Sequence, residues 1–184
     1  KEIAKAAGVS ILGPNCLGLL IPSIGLNASF SHTVASQGKI AFISQSAAVC
    51  STILDWAQNR GIGFSYFVSM GDCIDIDFAQ LIDFLGRDAK TQAILLYIDN
   101  IEDTRRFISA ARAAAFSKPI IAIKTGKTQA GAIAAQQHTG GNTSSDAIYD
   151  AMFQRAGILR VNDLRELFAA TQTLALHPKL LKVE

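Results

Sequence analysis

The chain has 184 residues, 49% of them apolar, enough to bury a core of its own and too apolar for a disordered tail. Its 17 basic and 15 acidic residues nearly cancel, to a formal charge of +2, and no block of Lys or Arg builds the one-signed field that nucleic acid or an anionic membrane requires. Charge names no partner, and neither nucleic acid nor membrane is expected as one.

The opening Lys1-Glu2-Ile3-Ala4-Lys5 has no initiator Met and no signal-peptide pattern, and reads as the end of a helix leading to a strand. It predicts a chain cut from something longer. Between Pro14 and Gly38 the residues Pro, Gly and Ser cluster and periodicity is lost, which predicts an interdomain connection after the remnant of a preceding domain. Beyond it, short runs of Ile, Val and Phe alternate with helical periods, the signature of an α/β protein with a parallel sheet covered on both faces. Strands are expected at 39–44, 64–69, 93–98, 119–124 and 158–161. The intervening helices start at Ala47, within the acidic stretch Asp72 to Asp77, at Glu102 and at Ser145, and a last helix covers 164–176.

The longest apolar runs, such as Ile94-Leu95-Leu96-Tyr97-Ile98, fall far short of the roughly 18 residues a membrane helix needs. Cys16, Cys50 and Cys73 are odd in number and lack metal-ligand spacing, so they read as small buried hydrophobes, no metal site is expected, and a reducing cytoplasm fits.

Ligands of an open α/β sheet bind beyond the carboxyl ends of its strands, so three loops are candidates. Ser44-Gln45-Ser46-Ala47 offers hydroxyls and unpaired N–H groups at a positive helix end, a cradle for phosphate or simply a pair of serine caps. Asp99 ends the third strand as a rim carboxylate or a helix cap. The third loop starts at Thr125-Gly126-Lys127, runs for about 18 residues and contains Gln137-His138-Thr139-Gly140-Gly141, followed by a Ser/Asp-rich helix start. A neutral imidazole, with a pKa of about 6.5, can attack phosphorus near pH 7. The phosphoramidate then needs N–H groups and hydroxyls, and a carboxylate such as Asp99 can orient the ring through its other nitrogen. His32 and His177 read as solvated or structural.

Gly13-Pro14-Asn15-Cys16-Leu17-Gly18, Ile43-Ser44-Gln45-Ser46, Tyr97-Ile98-Asp99, and His138-Thr139-Gly140 with Ser145-Asp146-Ala147 occur in the order and spacing of the nucleoside-diphosphate-forming acyl-CoA synthetases, which the chain resembles over nearly its whole length. The resemblance implies a flavodoxin-like, doubly wound succinyl-CoA ligase-like domain at 36–176, preceded at 1–35 by the tail of a Rossmann-type CoA-binding domain and followed from 177 by a linker. It implies His138 as phosphoryl carrier with Asp99 beside it, Ser44, Gln45, Ser46, Thr139, Gly140 and Gly141 around phosphate, and Asn15 and Cys16 near CoA. The full protein would use acyl-CoA, phosphate and Mg-ATP or ADP, with an ATP-grasp domain and a CoA-binding domain as partners. Oligomeric state stays open, and the fragment by itself is expected to bind no cofactor and to be inactive.

Four departures touch the implied phosphate pocket. Ala47 stands where the family has Gly, Asp99-Asn100 where it has Glu-Gly, Gly141-Asn142-Thr143-Ser144 where it has Ala-Leu-Ala-Gly, and Met70-Gly71-Asp72 where it has Leu-Gly-Asn. This drift also resembles a branch fused to a GNAT acetyltransferase, which leaves as alternative a non-turnover, acyl-CoA-binding regulatory domain of a protein lysine acetyltransferase. A generic flavodoxin-like ligand module is a third reading; the Gly-poor first loop argues against a flavin phosphate site.

Overall fold

The computed structural model describes residues 1–127 and 146–176. The elements are α1 (Glu2–Ala6), β1 (Gly18–Ile21), a 3-10 turn (Pro22–Ile24), β2 (Leu26–Ser29), β3 (Gln37–Ser44), α2 (Ala47–Gln58), β4 (Phe64–Ser69), α3 (Phe78–Arg87), β5 (Ala93–Ile98), α4 (Thr104–Ala115), β6 (Ile120–Lys124), α5 (Asp146–Ala156), β7 (Ile158–Val161) and α6 (Leu164–Leu176). They build a seven-stranded sheet in the order β2-β1-β4-β3-β5-β6-β7. The five strands from β4 to β7 in that order are mutually parallel, and β1 is antiparallel to both of its neighbours.

Strand alternation divides the core in two. In β3, Ala41 and Ile43 face one side while Ile40 and Phe42 face the other, and β5 and β6 repeat the pattern with Leu96 against Leu95 and Ala122 against Ile121. The first side takes α3, α4 and α5, whose buried residues recur at helical spacing, as in Tyr149, Met152, Phe153 and Ala156. The second takes α2, through Cys50, Ile53, Leu54 and Ala57, together with α6, and Trp56 stacks on Phe168 at 4.4 Å to join the two helices. Helices on both faces make each parallel strand apolar along its whole length, which is why β5 reads Ala-Ile-Leu-Leu-Tyr-Ile.

Strand order reverses at β3: the chain steps from β3 to β4 on one side, then crosses back to β5 on the other. The switch point therefore lies at the carboxyl ends of β3 and β5, where doubly wound sheets bind ligands.

Two expectations need correcting. Residues 14–38, expected as an interdomain connection without periodicity, contain regular structure: β1 and β2 form a hairpin that extends the sheet, with Leu19 opposite Val68 and Leu20 opposite Phe67 of β4. Four-residue strands carry too little alternation to be read; β1 is held by its partner and by the buried Leu20, and Gly25, at φ 67°, closes the turn. The acidic stretch does not open α3. Only Asp77 caps that helix, in a reciprocal box with Gln80, while Asp72 and Asp75 lie before it and bind residues 11–15.

Candidate functional site

A crevice of about 630 Å³ opens beyond the carboxyl ends of β3, β4 and β5. Asn15, Gln45, Ser46, Ala47, Gly71–Asp75, Asp99 and Asn100 line it, and the first turns of α2, α3 and α4 face it.

One wall is the segment 11–17 laid along the turn after β4. Asp72, Ile74 and Ile76 donate their backbone N–H groups to the carbonyls of Pro14, Gly13 and Ile11, at 3.0, 3.2 and 3.2 Å. Ile11 N–H donates to Asp75 Oδ2 (2.9 Å), Asn15 Nδ2 to Asp72 Oδ2 (2.6 Å) and Leu17 N–H to Ser69 Oγ (2.9 Å). The approach is close enough that a Cβ on Gly71, at φ 58°, would stand 1.8 Å from the Pro14 carbonyl oxygen. Asn15, in the left-handed region at φ 56°, reaches the crevice, whereas Cys16 is half-buried with its thiol toward Leu12 O.

The other wall is the β3–β5–β6 rim. Ser44 is fully buried, and its hydroxyl is spent within the turn: it donates to Ser46 O and accepts from Ser46 N–H, both at 3.0 Å. Gln45 is largely engaged, with one amide hydrogen left over. Its side-chain carbonyl accepts from the N–H groups of Asp99 (2.7 Å) and Asn100 (3.0 Å), its amide end donates toward Cys73 Sγ (3.5 Å), and its own N–H goes to Tyr97 O (3.2 Å). Ser46 caps α2 by accepting from Val49 N–H (3.3 Å); its hydroxyl proton and the first-turn N–H groups of Ala47 and Ala48 have no partner among the described residues, and all three residues line the crevice. Of the three residues expected around phosphate in this loop, Ser46 has donors to offer and Ser44 shapes the turn.

Asp99 does not cap α4. That role belongs to Asp103, which accepts from Arg106 N–H at 3.0 Å. The Asp99 carboxylate instead accepts from the Thr125 hydroxyl (2.8 Å), and Thr125 N–H donates to Ile98 O (3.0 Å). Lys124 is half-buried beside them, its Nζ donating to Thr125 O (2.6 Å) and lying 4.5 Å from the centre of the Tyr149 ring. Burial pulls its pKa down, against the upward pull of Asp99 and Asp146. Burial also raises the Tyr97 hydroxyl, and Asp99 adds to this; it pushes the Cys73 thiol up to about 11. Cys73 is therefore a neutral hydrogen-bonding group here.

Lys124 and Thr125 had no role in the sequence reading. Their signal was position: they end a strand, but their neighbour across the sheet becomes visible only once strand order is known. The rim carboxylates Asp72, Asp75, Asp77 and Asp103 are each engaged by a donor, Asp77 by Arg106 at 3.0 Å. His138, Thr139, Gly140 and Gly141 lie outside the described residues, as does His177. His32 is exposed, 3.3 Å from Asp55, and belongs to no site. Among the described residues no group of His, Cys, Asp and Glu is placed to hold a metal ion, and no helix is long and apolar enough to cross a membrane.

A doubly wound sheet with an open helix end and a fixed carboxylate at its switch point defines a flavodoxin-like ligand domain. Residues 37–174 match the family described as "Succinyl-CoA ligase like flavodoxin domain". The chain is 44% identical over 168 residues to the alpha subunit of ADP-forming acetate–CoA ligase II of Pyrococcus furiosus, covering 91% of this chain and 36% of that one. It is 40% identical over 167 residues to ADP-forming acetate–CoA ligase I of Archaeoglobus fulgidus, covering 91% and 24%. The solved acetyl-coenzyme A synthetase 1 of Ca. Korarchaeum cryptofilum, in complex with phosphate and ADP, superposes with a TM-score of 0.90 at 38% identity, covering 95% of this chain and 38% of that one. ATP citrate lyase from Methanothrix soehngenii shares the fold, with a TM-score of 0.75 at 15% identity, covering 100% of this chain and 33% of that one. The chain thus spans about a quarter to two fifths of the length of the relatives it matches. The chain belongs to the succinyl-CoA ligase-like flavodoxin domains of the nucleoside-diphosphate-forming acyl-CoA synthetases.

Proposed function

We propose that this chain is the phosphoryl-carrying domain of an ADP-forming acyl-CoA synthetase. In the full protein, phosphate displaces CoA from an acyl-CoA to give an acyl phosphate. His138 attacks its phosphorus and releases the carboxylic acid, and the phosphoryl group passes to ADP. Asp99 accepts a hydrogen bond from the N–H of the other imidazole nitrogen and steadies the positive charge that develops on the ring. The Ser46 hydroxyl, the Ala47 and Ala48 N–H groups, and Thr139, Gly140 and Gly141 surround the phosphoryl oxygens. Ser44 holds the turn that presents them.

A CoA-binding domain and an ATP-grasp domain of the same protein are the partners, with Mg-ATP or ADP on the latter, and the cytoplasm is the compartment. Residues 36–176 form the carrier domain. Residues 1–35 are the tail of the CoA-binding domain and a linker whose hairpin docks on the sheet, with Asn15 and Cys16 toward CoA, and 177–184 begin the next linker.

The observation that carries this reading is Asp99: a carboxylate relieved of capping by Asp103 and held at the switch-point crevice opposite the open end of α2. The likeness to the Korarchaeum synthetase, which was solved with phosphate and ADP, supports it. The test is acid-labile label on full-length protein given γ-labelled ATP and magnesium. Label on wild type and none on His138→Ala is expected; equal label on both would remove the carrier role.

A further inference from the structure

Asp99 ends the middle strand of three, and each flanking strand sends one side chain to it. From the end of β3, Gln45 turns its carbonyl oxygen onto the N–H groups of Asp99 and Asn100, at 2.7 and 3.0 Å, and so fixes the main chain on which the carboxylate stands. From the end of β6, Thr125 donates its hydroxyl to Asp99 Oδ1 at 2.8 Å and so fixes the side chain. The register makes this possible, since Ser44 lies opposite Tyr97 and Ile98 opposite Lys124, leaving residues 45, 99 and 125 as the first positions past the paired strands.

Neither bond is needed to assemble the sheet, whose ladders are complete below this level, or to start α4, which Asp103 caps. Their common product is one carboxylate with a single orientation, one oxygen engaged and the other, among the described residues, left to accept from a further donor. An unrestrained Asp at a strand end would sample several rotamers, and catalysis depends on avoiding that freedom. The Gln45 side-chain carbonyl is taken up by the two main-chain N–H groups and one amide hydrogen points toward Cys73 Sγ at 3.5 Å, which leaves a single amide hydrogen for any other acceptor.

We infer that Gln45 and Thr125 are positioning residues that set the Asp99 carboxylate at the crevice rim, and that Gln45 acts through Asp99 rather than as a ligand of phosphate. This rests on the phosphohistidine reading. Thr125 does with a neutral hydroxyl what a lysine or arginine would do with a charge, so the carboxylate keeps its charge for the group it orients. The shorter Asp99 side chain, standing where the resemblance expects Glu, requires such holding because it reaches less far from the strand.

The test reads the step at the crevice directly. Full-length protein is labelled from [32P]phosphate and acetyl-CoA, or whichever acyl-CoA supports wild-type turnover, with no nucleotide present. Thr125→Val and Gln45→Met should each lower the single-turnover rate at saturating phosphate by about tenfold or more, with phosphate half-saturation within about twofold of wild type. Thr125→Ser should restore it. In an Asp99→Ala background neither substitution should cost anything further, because both act through that carboxylate.

Wild-type rates in both variants, or losses that add to that of Asp99→Ala, would overturn the inference, as would a raised phosphate half-saturation in Gln45→Met. Unfolding midpoints measured alongside identify any variant that fails by misfolding, and the near-isosteric Thr125→Val carries the test if Gln45→Met is unstable. Label persisting in His138→Ala overturns the carrier reading and this inference with it. Label lost in His138→Ala but undiminished in Thr125→Val and Gln45→Met overturns the positioning roles alone.

Discussion

The two walls of the crevice are built by different means. The wall of residues 11–17 is joined to the turn after β4 by three main-chain hydrogen bonds, by three that use the side chains of Asp72, Asp75 and Ser69, and by an approach so close that only glycine fits at position 71. The β3–β5–β6 rim is joined by side chains: Ser44 within its own turn, Gln45 to Asp99 and Asn100, Thr125 to Asp99. A backbone clasp tolerates almost any side chain pointing away from it but no change in shape. A side-chain clasp changes one substitution at a time, so its chemistry can be tuned while the fold stays put. The departures at Asp99 and Asn100 fall on the second kind of wall; the one at Asp72 falls on the first, at a side chain that bonds Asn15.

The largest expected effect comes from forcing the backbone clasp. Gly71→Val places a Cβ 1.8 Å from the Pro14 carbonyl oxygen and imposes a branched side chain on φ 58°, and neither the carbonyl nor the turn can swing away as a flexible side-chain end would. A loss of about 3 kcal/mol or more in urea unfolding is expected, with strain and clash contributing together. Hydrogen exchange should locate the damage, because Asp72, Ile74 and Ile76 donate across this seam and should lose protection before β5 does. Wild-type protection at those three amides would show that the seam is not what holds the wall.

The same contrast explains what was legible in the sequence. β4, β5, β7 and α6 were readable to the residue, because strands covered on both faces become continuous apolar runs and helices with one buried stripe keep their period. β1 and β2 were not readable. Gly18-Leu19-Leu20-Ile21 acquires its strand character from Phe67 and Val68, some fifty positions away, and no local pattern encodes that pairing. Asp99 was legible as a strand-end acid, but whether it caps α4 turned on Asp103 four residues on, an equally good cap by type. Gln45 reads by its neighbours' chemistry as a phosphate ligand; that its carbonyl binds the Asp99 and Asn100 N–H groups is visible only in the geometry.

Cys50 sits fully buried on α2, one turn after Ser46, with Ser44 and Ser69 of the two walls near enough to favour its thiolate slightly. Ser69 is also the acceptor for Leu17 N–H. Burial pushes the Cys50 thiol from 9.0 up to about 11. Between those values the folded protein keeps a proton that the unfolded chain has given up, so the contribution is complete below pH 9 and is lost as pH rises through 11. This one group should remove about 2 kcal/mol of stability over that window. In Cys50→Ala the alkaline decline should be shallower by that amount; an unchanged slope between pH 8 and 11 would show that the thiol is solvated.

A smaller effect tests the rim alone. Ser46→Ala removes the acceptor for Val49 N–H and should cost about 1 kcal/mol, the usual worth of an N-cap, with the seam amides of the other wall unaffected. If the amides of Ile74 and Ile76 lost protection as well, the walls would be one cooperative unit and the contrast drawn between them would fail.

The smallest effect concerns the charges at the crevice mouth. Arg106 on α4 reaches Asp77 at the start of α3 at 3.0 Å, but the two side chains are 55% and 28% exposed, so water and salt screen most of their attraction. Asp77 also has other work: its second oxygen accepts from Gln80 N–H at 2.8 Å while the Gln80 side chain holds Asp77 N–H, and this box survives without the arginine. Arg106→Gln should therefore cost no more than about 0.5 kcal/mol at physiological ionic strength. A loss above about 1 kcal/mol that faded with added salt would mean that charge, and not the box, ties α3 to α4. The acidic mouth would then be a tuned part of the site, belonging with the side-chain wall and open to the same drift that altered Asp99.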